Sequence, residues 1–286
     1  MKVGVVYPQI ELRGDPEAVR SIGTAVESLG YDHLLAYDHL LGAPHDRSPA
    51  LTGPYTDQHP FHDPLMMFAH LAALTHRIEL VTGILILPQR QTALVARQAA
   101  DLDLLSKGRL RLGVGLGWNY VEYDALGQNF KTRGRRLAEQ VPLLRRLWSE
   151  SLVSFQGEFD RIDRAALNPR PARSIPIWFG GFSDPAFQRA AALGDGFILT
   201  GGVERGSEAW ARIEQHLREA RRPVEAFGKE MVVGRQDRTP QEVAARLRWC
   251  GDFGCSHACI DTMGKGFASA QAHIDFVAEV RAHWSG

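Results

Sequence analysis

Asp38 and His39 stand together directly after the apolar run His33-Leu-Leu-Ala-Tyr37. A histidine takes or gives a proton near neutral pH, and an adjacent carboxylate can fix its orientation. A second group is Gly113-Val-Gly-Leu-Gly-Trp118, with Asn119 and Glu122 close behind. Its spacing lacks the longer unit and following acid of a dinucleotide fingerprint, so it reads as close backbone approach to a ligand. Asn119 can bond such a ligand, and Glu122 reads as structural. The third group, Gly180-Gly181-Phe182-Ser183, precedes Asp184-Pro185. Its amides either cradle a phosphate at a helix start or simply make a tight turn with a cap. Arg90, Arg235 and Arg238 follow apolar runs and are either anion holders or surface ion pairs. His59 and His62 read as solvent-exposed rather than metal-ligating. Cys250, Cys255 and Cys259 lack zinc spacing, and their odd number argues against a disulfide framework, so reduced, buried thiols in a cytoplasmic protein are expected.

The elements that must hold these residues alternate. Strands are expected at 3–7, 33–37, 78–87, after Arg109, 175–179, 196–200, 230–234 and 257–262. Gly83 lies inside the third strand, where a glycine marks a bulge or a close approach. Thr200 ends the sixth strand. Asp15-Pro16, Asp63-Pro64 and Thr239-Pro240 each place a capping side chain before a first-turn proline. Further helices are expected through Leu94–Leu105, over 133–148 with a bend at Pro142, over 186–193 and 207–221, and up to Trp284. Residues 153–159 read as a small hairpin. Eight strand-then-helix alternations without a composition break predict one (β/α)8 TIM barrel over 1–286, with insertions at 38–62 and 117–132. In such a barrel, ligands bind at the carboxyl ends of the strands.

Composition narrows the partners. Lys plus Arg and Asp plus Glu number 33 each, so the chain shows no basic face for nucleic acid. No apolar run is long enough to span a bilayer, and Met1-Lys2 leads straight into a strand without a signal-peptide pattern. A small-molecule substrate is the remaining expectation. A metal-dependent barrel hydrolase is disfavoured because Tyr7-Pro8-Gln9 stands where a His-x-His would end the first strand.

Taken together, Gly30-Tyr31-Asp32, Asp38-His39, Leu102-Asp-Leu-Leu-Ser-Lys-Gly-Arg109, Gly113–Trp118, Glu122, Gly127, Arg133, Glu139, Pro171 and Ile175-Pro-Ile-Trp-Phe-Gly-Gly181 resemble the luciferase-like monooxygenase superfamily. The likeness is nearest to its deazaflavin (coenzyme F420) branch and covers about residues 1–200. The resemblance implies a luciferase-like (β/α)8 barrel, often dimeric, that holds F420, or alternatively FMN, and moves hydride between cofactor and substrate. It implies a cis peptide between Gly83 and Ile84 behind the ring. It also implies cofactor contacts from Asp38, His39, Gly83, Ile84, Gly115, Asn119, Gly180, Gly181, Phe182, Ser183 and Thr200. Sugar-phosphate dehydrogenases of that branch carry a glutamate acid directly after the glycines, where this chain has Trp118. That leaves His39, helped by Asp38, as the expected catalytic proton carrier. The alternatives are an FMN-dependent monooxygenase using reduced flavin and oxygen, and a flavin-binding protein without turnover.

Overall fold

The structure is a computed structural model describing residues 1–234, 237 and 239–284. Arg235 and Arg238 lie outside the described residues. The chain opens with β1 (Lys2–Val6), α1 (Pro16–Ser28), β2 (His33–Ala36) and α2 (Pro64–Leu74). It continues with β3 (Glu79–Thr82), β4 (Leu85–Ile86), α3 (Thr92–Leu105), β5 (Leu110–Gly115), α4 (Tyr120–Ala125) and α5 (Arg133–Ser149). After the pair β6 (Val153–Gln156) and β7 (Arg161–Ala165) come β8 (Ile177–Gly180), α6 (Asp184–Leu193), β9 (Gly196–Leu199) and α7 (Val203–Glu219). β10 (Gly228–Val233), α8 (Pro240–Asp252), β11 (His257–Ile260) and α9 (Ala270–Trp284) close the chain. β1 pairs with β2 on one side and β11 on the other, and β5 pairs with β3, β4 and β8. The parallel ladder therefore closes on itself as an eight-stranded (β/α)8 barrel, with β3 and β4 sharing one strand position.

The helix starts follow local chemistry. Asp15 accepts from the Glu17 amide and Asp63 from the amides of Leu65 and Met66, each with proline next. Thr239 and Glu242 form a reciprocal capping box. Caps of this kind are each worth about 1 kcal/mol. Gly30 ends the α1 turn at φ +77°, a region that suits glycine. Arg109 donates to the carbonyls of Ala72 and Thr75 at the end of α2 and to that of Ile78, tying α2 to β3.

Two expectations need correction. The third strand is not continuous over 78–87. Leu80 faces Leu110 while Leu85 faces Val114, so five steps on one strand (80 to 85) match four on the other (110 to 114). That extra residue is a bulge, and the Gly83–Ile84 peptide within it is cis. Gly83 is required there because a Cβ would stand 2.2 Å from the Leu35 side chain. Second, the hairpin's returning strand is β7, beyond 153–159, because Glu139 accepts from the amides of Glu158, Phe159 and Asp160 and so organises a turn there. The stretch 117–132 contains α4.

Inside the barrel, Val6, Leu35, Val81, Ile198, Val232, Cys259 and Met263 form an apolar layer. Below it, near the amino ends of the strands, Arg111 bridges Glu230 at 2.5 Å and Glu79 at 2.8 Å. Its guanidinium lies 4.2 Å from the Trp178 ring centroid. His33 bonds Glu230 at 2.6 Å. The larger core lies between the strands and the surrounding helices.

Candidate active site

A cavity of about 460 Å³ opens at the carboxyl ends of the strands, within the usual size of small-molecule sites. Its floor is Ile84, Ile86, Leu116 and Ile198. The Ile84 side chain fills the space above two glycines: a Cβ on Gly115 or on Gly180 would stand 2.7 Å from it. A second chamber of about 750 Å³ shares Tyr37, Phe182 and Thr200 with the first. It is more polar, with Glu204, Arg205, Asp237, Arg246 and Asp261 on its walls.

His39 lines the first cavity from the end of β2. Its partner is not the neighbouring carboxylate. Nδ1 lies 3.2 Å from Glu122 Oε1, and Glu122 is fully buried. The same oxygen accepts from the amides of Leu40 at 2.7 Å and Leu41 at 3.1 Å. With Nδ1–H donated to a carboxylate, the tautomer leaves Nε2 as the nitrogen for exchange with a ligand. Tyr55, Phe61 and Trp118 surround the imidazole at centroid distances of 5.4, 5.0 and 5.3 Å.

Asp38 has another task. Its Oδ1 accepts from Arg90 Nη2 at 2.7 Å and its Oδ2 from the Ile86 amide at 2.8 Å, while Arg90 Nη1 reaches Asp63 at 2.9 Å. Burial pushes the Asp38 carboxyl up, and the Arg90 guanidinium and Ile86 amide oppose that shift. Burial alone would lower Arg90, but Asp38 and Asp63 outweigh it and raise the guanidinium. Asp38 therefore ties the end of β2 to the bulge and to the start of α2. Arg90 is neither an anion holder nor a surface pair.

The two long loops make one wall. Asn119 caps α4 by accepting from Val121 and donates its amide to the Leu41 carbonyl at 2.9 Å. Gly53 packs on the Trp118 indole so closely that a Cβ there would stand 2.4 Å from it. Tyr120 donates to the Pro49 carbonyl. Asn119 is thus buried, with its side chain bonded within the wall. His59 and His62 are half-buried rather than exposed: His59 accepts from the Thr56 amide, and the His62 amide donates to Gln9.

Of the other expected contacts, Gly83, Ile84, Gly180, Gly181, Phe182, Ser183 and Thr200 line the cavity, and Gly115 supports Ile84 from beneath. Ser183 caps α6 without a side-chain cap bond, leaving the hydroxyl for another acceptor or donor. Beside it stands Arg133, also on the cavity wall and 3.7 Å over the Phe130 ring. Arg189 lies against the start of α5: one of its nitrogens would meet a Cβ on Gly134 at 2.9 Å. Burial, and then the charge of Arg133, lowers Arg189 from its ordinary value.

The sequence reading missed Glu122 as the partner of His39, and missed Arg133, Tyr55 and the α4 helix. One signal was present. Asn119-Tyr-Val-Glu122 has the spacing of a helix cap followed by an N3 glutamate, which marks a helix start within the supposed insertion.

A parallel barrel thus carries, at its carboxyl end, a largely apolar cavity backed by a strand bulge and faced by a held histidine. The luciferase-like monooxygenase model matches residues 2–254, and the chain belongs to that family. It is 30% identical over 212 residues to an FMNH2-dependent dimethylsulfone monooxygenase of Pseudomonas fluorescens, covering 72% of this chain and 54% of the relative. It is 38% identical over 143 residues to an F420-dependent glucose-6-phosphate dehydrogenase of Intrasporangium calvum, covering 48% of this chain and 42% of the relative. The chain spans less than two thirds of the length of the curated relatives it matches. The fold is shared with an F420-dependent secondary alcohol dehydrogenase (TM-score 0.79, 17% identity, 99% of this chain and 98% of that one). Relatives thus include both F420- and FMNH2-dependent enzymes.

Proposed function

We propose that the protein is an F420-dependent oxidoreductase that transfers hydride between the deazaflavin and a small organic substrate. The observation that carries this reading is the pairing of the bulged floor at Gly83–Ile84 with His39 held by Glu122 across one cavity. The residues fit a flat ring: the slot is apolar, and its strand glycines leave room for Ile84 to form the floor. When bound, the cofactor would supply the hydride chemistry. Ile84, Ile86, Leu116 and Ile198 would bind and orient the ring and exclude water. Gly180, Gly181, Phe182 and Ser183, with Arg133 and Arg189 beside them, would hold its anionic tail. His39 would hold or take the accompanying proton at Nε2, and Asp38 and Glu122 are positioning residues. The second chamber is the space left for a substrate.

The second reading, an FMN-dependent monooxygenase, is favoured by the likeness to the dimethylsulfone enzyme. A binding protein without turnover is the third, because Trp118 stands where a sugar-phosphate dehydrogenase has its acid. Titrating the purified protein separately with F420 and with FMN, and following fluorescence quenching, tests the choice. Saturable quenching by F420 at lower concentration than by FMN is expected. Tighter FMN binding with oxygen consumption would replace the first reading with the second.

We also propose a homodimer. α2 is apolar nearly all round, yet Met66 on it is 68% exposed, and Leu94 and Leu105 on the adjoining α3 are 50% and 68% exposed. A surface of that kind suits a partner. Sedimentation of the protein at micromolar concentration is expected to give twice the chain mass. Three free, buried cysteines are compatible with a cytoplasmic setting.

A further inference from the structure

Cys250 and Cys255 lie outside both chambers, and the proposed chemistry uses neither. They meet because of how α8 ends. The Cys255 amide donates to the Cys250 carbonyl at 2.9 Å, the Gly254 amide donates to the Gly251 carbonyl at 2.9 Å, and Gly254 sits at φ +74°. This is the Schellman arrangement, in which the residue near the end of the helix touches the residue two beyond the cap. An apolar pair usually fills that contact. Here two cysteines hold those positions, and both are buried. Side chains that meet across a helix end in this way are at the short separation from which a disulfide of about 2.05 Å is built.

The surroundings make the pair asymmetric. Lys229 Nζ donates to the Phe253 carbonyl at 2.5 Å and lies 3.9 Å from the Phe253 ring centroid, at the negative end of the helix. The hydrogen bond from Cys250 and the Lys229 charge hold the Cys255 thiol below its usual range, against the effect of burial. The shared hydrogen bond and burial push Cys250 well above that range. Cys255 is covered thinly, since Gly254 and Ser256 on either side are exposed. Fraying of the last turn of α8 would uncover it. Cys259 differs: it lies in the barrel interior among Val6, Leu35 and Val81, and burial raises its thiol strongly.

We infer that Cys250 and Cys255 are a redox-active dithiol that closes to an intrachain disulfide when a small-molecule disulfide is the oxidant. The Cys255 thiolate attacks one sulfur of that disulfide and releases one thiolate. The Cys250 thiolate then attacks the Cys255 sulfur and releases the second. The protein loses two electrons and two protons, and the oxidant becomes two thiols. The inference is independent of which cofactor the barrel holds.

The test uses the reduced wild-type chain and oxidised glutathione. After incubation, the protein is alkylated with N-ethylmaleimide in denaturant, its intact mass is measured, and its cysteine peptides are mapped. Expected is escape of two of the three thiols from alkylation, with no glutathione retained, a link joining Cys250 to Cys255, and Cys259 alkylated. Alkylation of all three thiols would overturn the inference. So would a stable glutathione adduct on Cys255, a link involving Cys259, or a link between chains.

Discussion

The two ends of the barrel use the same kinds of residue to different effect. At the amino end, Arg111, Glu230, Glu79 and His33 face one another under the apolar layer, and their charges are spent on each other. At the carboxyl end, the carboxylates of Asp38 and Glu122 are equally buried, but they bind backbone amides and Arg90 and so hold a loop in place. There one edge of the His39 ring faces a cavity. A polar network sealed beneath an apolar layer adds order but faces no ligand. A network that fixes one titratable group and leaves one of its edges facing a cavity makes a site.

Substitutions can break that contrast. The largest effect is expected from His39→Ala, which should lower turnover by about 10²–10⁴-fold, the usual worth of acid–base help, with cofactor affinity little changed. Both are measured on one preparation with an identified substrate. Collapse of cofactor binding instead would make His39 a binding residue. Glu122→Gln should lower turnover less and shift its pH profile, whereas a merely structural role would change stability alone.

At the other end, Arg111→Met should leave turnover per folded molecule intact and cost about 3–5 kcal/mol of stability, because it leaves the buried Glu230 carboxylate with His33 alone as a side-chain partner. Denaturant unfolding checks this. A variant as stable as wild type would mean the network contributes nothing to the fold.

Gly181→Val is a smaller test, at the rim. A Cβ there would lie 2.9 Å from the Ala186 Cβ, and the residue sits at φ +153°. The cofactor dissociation constant should rise at least tenfold, about 1.4 kcal/mol, in a variant shown to be folded. Unchanged affinity would move the anion site elsewhere.

The most gradual effect is that of pH. Burial lowers His273 from 6.5 to about 4. Its neutral form is favoured by the fold, so its contribution to stability is whole above the unfolded value of about 6.5 and is lost as pH falls toward 4. Glu230 is held below its ordinary value by Arg111 and His33 against the effect of burial. Its contribution is whole above about 4.3 and is lost below that. Urea midpoints should therefore fall in two stages from pH 7 to pH 3. Constant midpoints over that range would contradict both assignments.

Local chemistry carried much of this in the sequence alone. Aspartate before proline starts α1 and α2 wherever they are placed, because the cap satisfies amides within one turn. Alternating apolar runs and helical spacings set the βα order, and eight such units close in a ring. A glycine within a strand announced the bulge at Gly83, because a side chain has no room there. Partnership across the barrel was not local. Asp38 is adjacent to His39 in sequence, yet its side chain turns to Arg90 and Ile86 once β2 and the bulge lie side by side. Glu122 is 83 residues from His39 and meets it only because α4 folds across the end of β2. The identity of a buried charge's partner depends on which chains the closed barrel brings within about 3 Å, the range in which a hydrogen bond can offset the loss of water. Only the tertiary structure decides that.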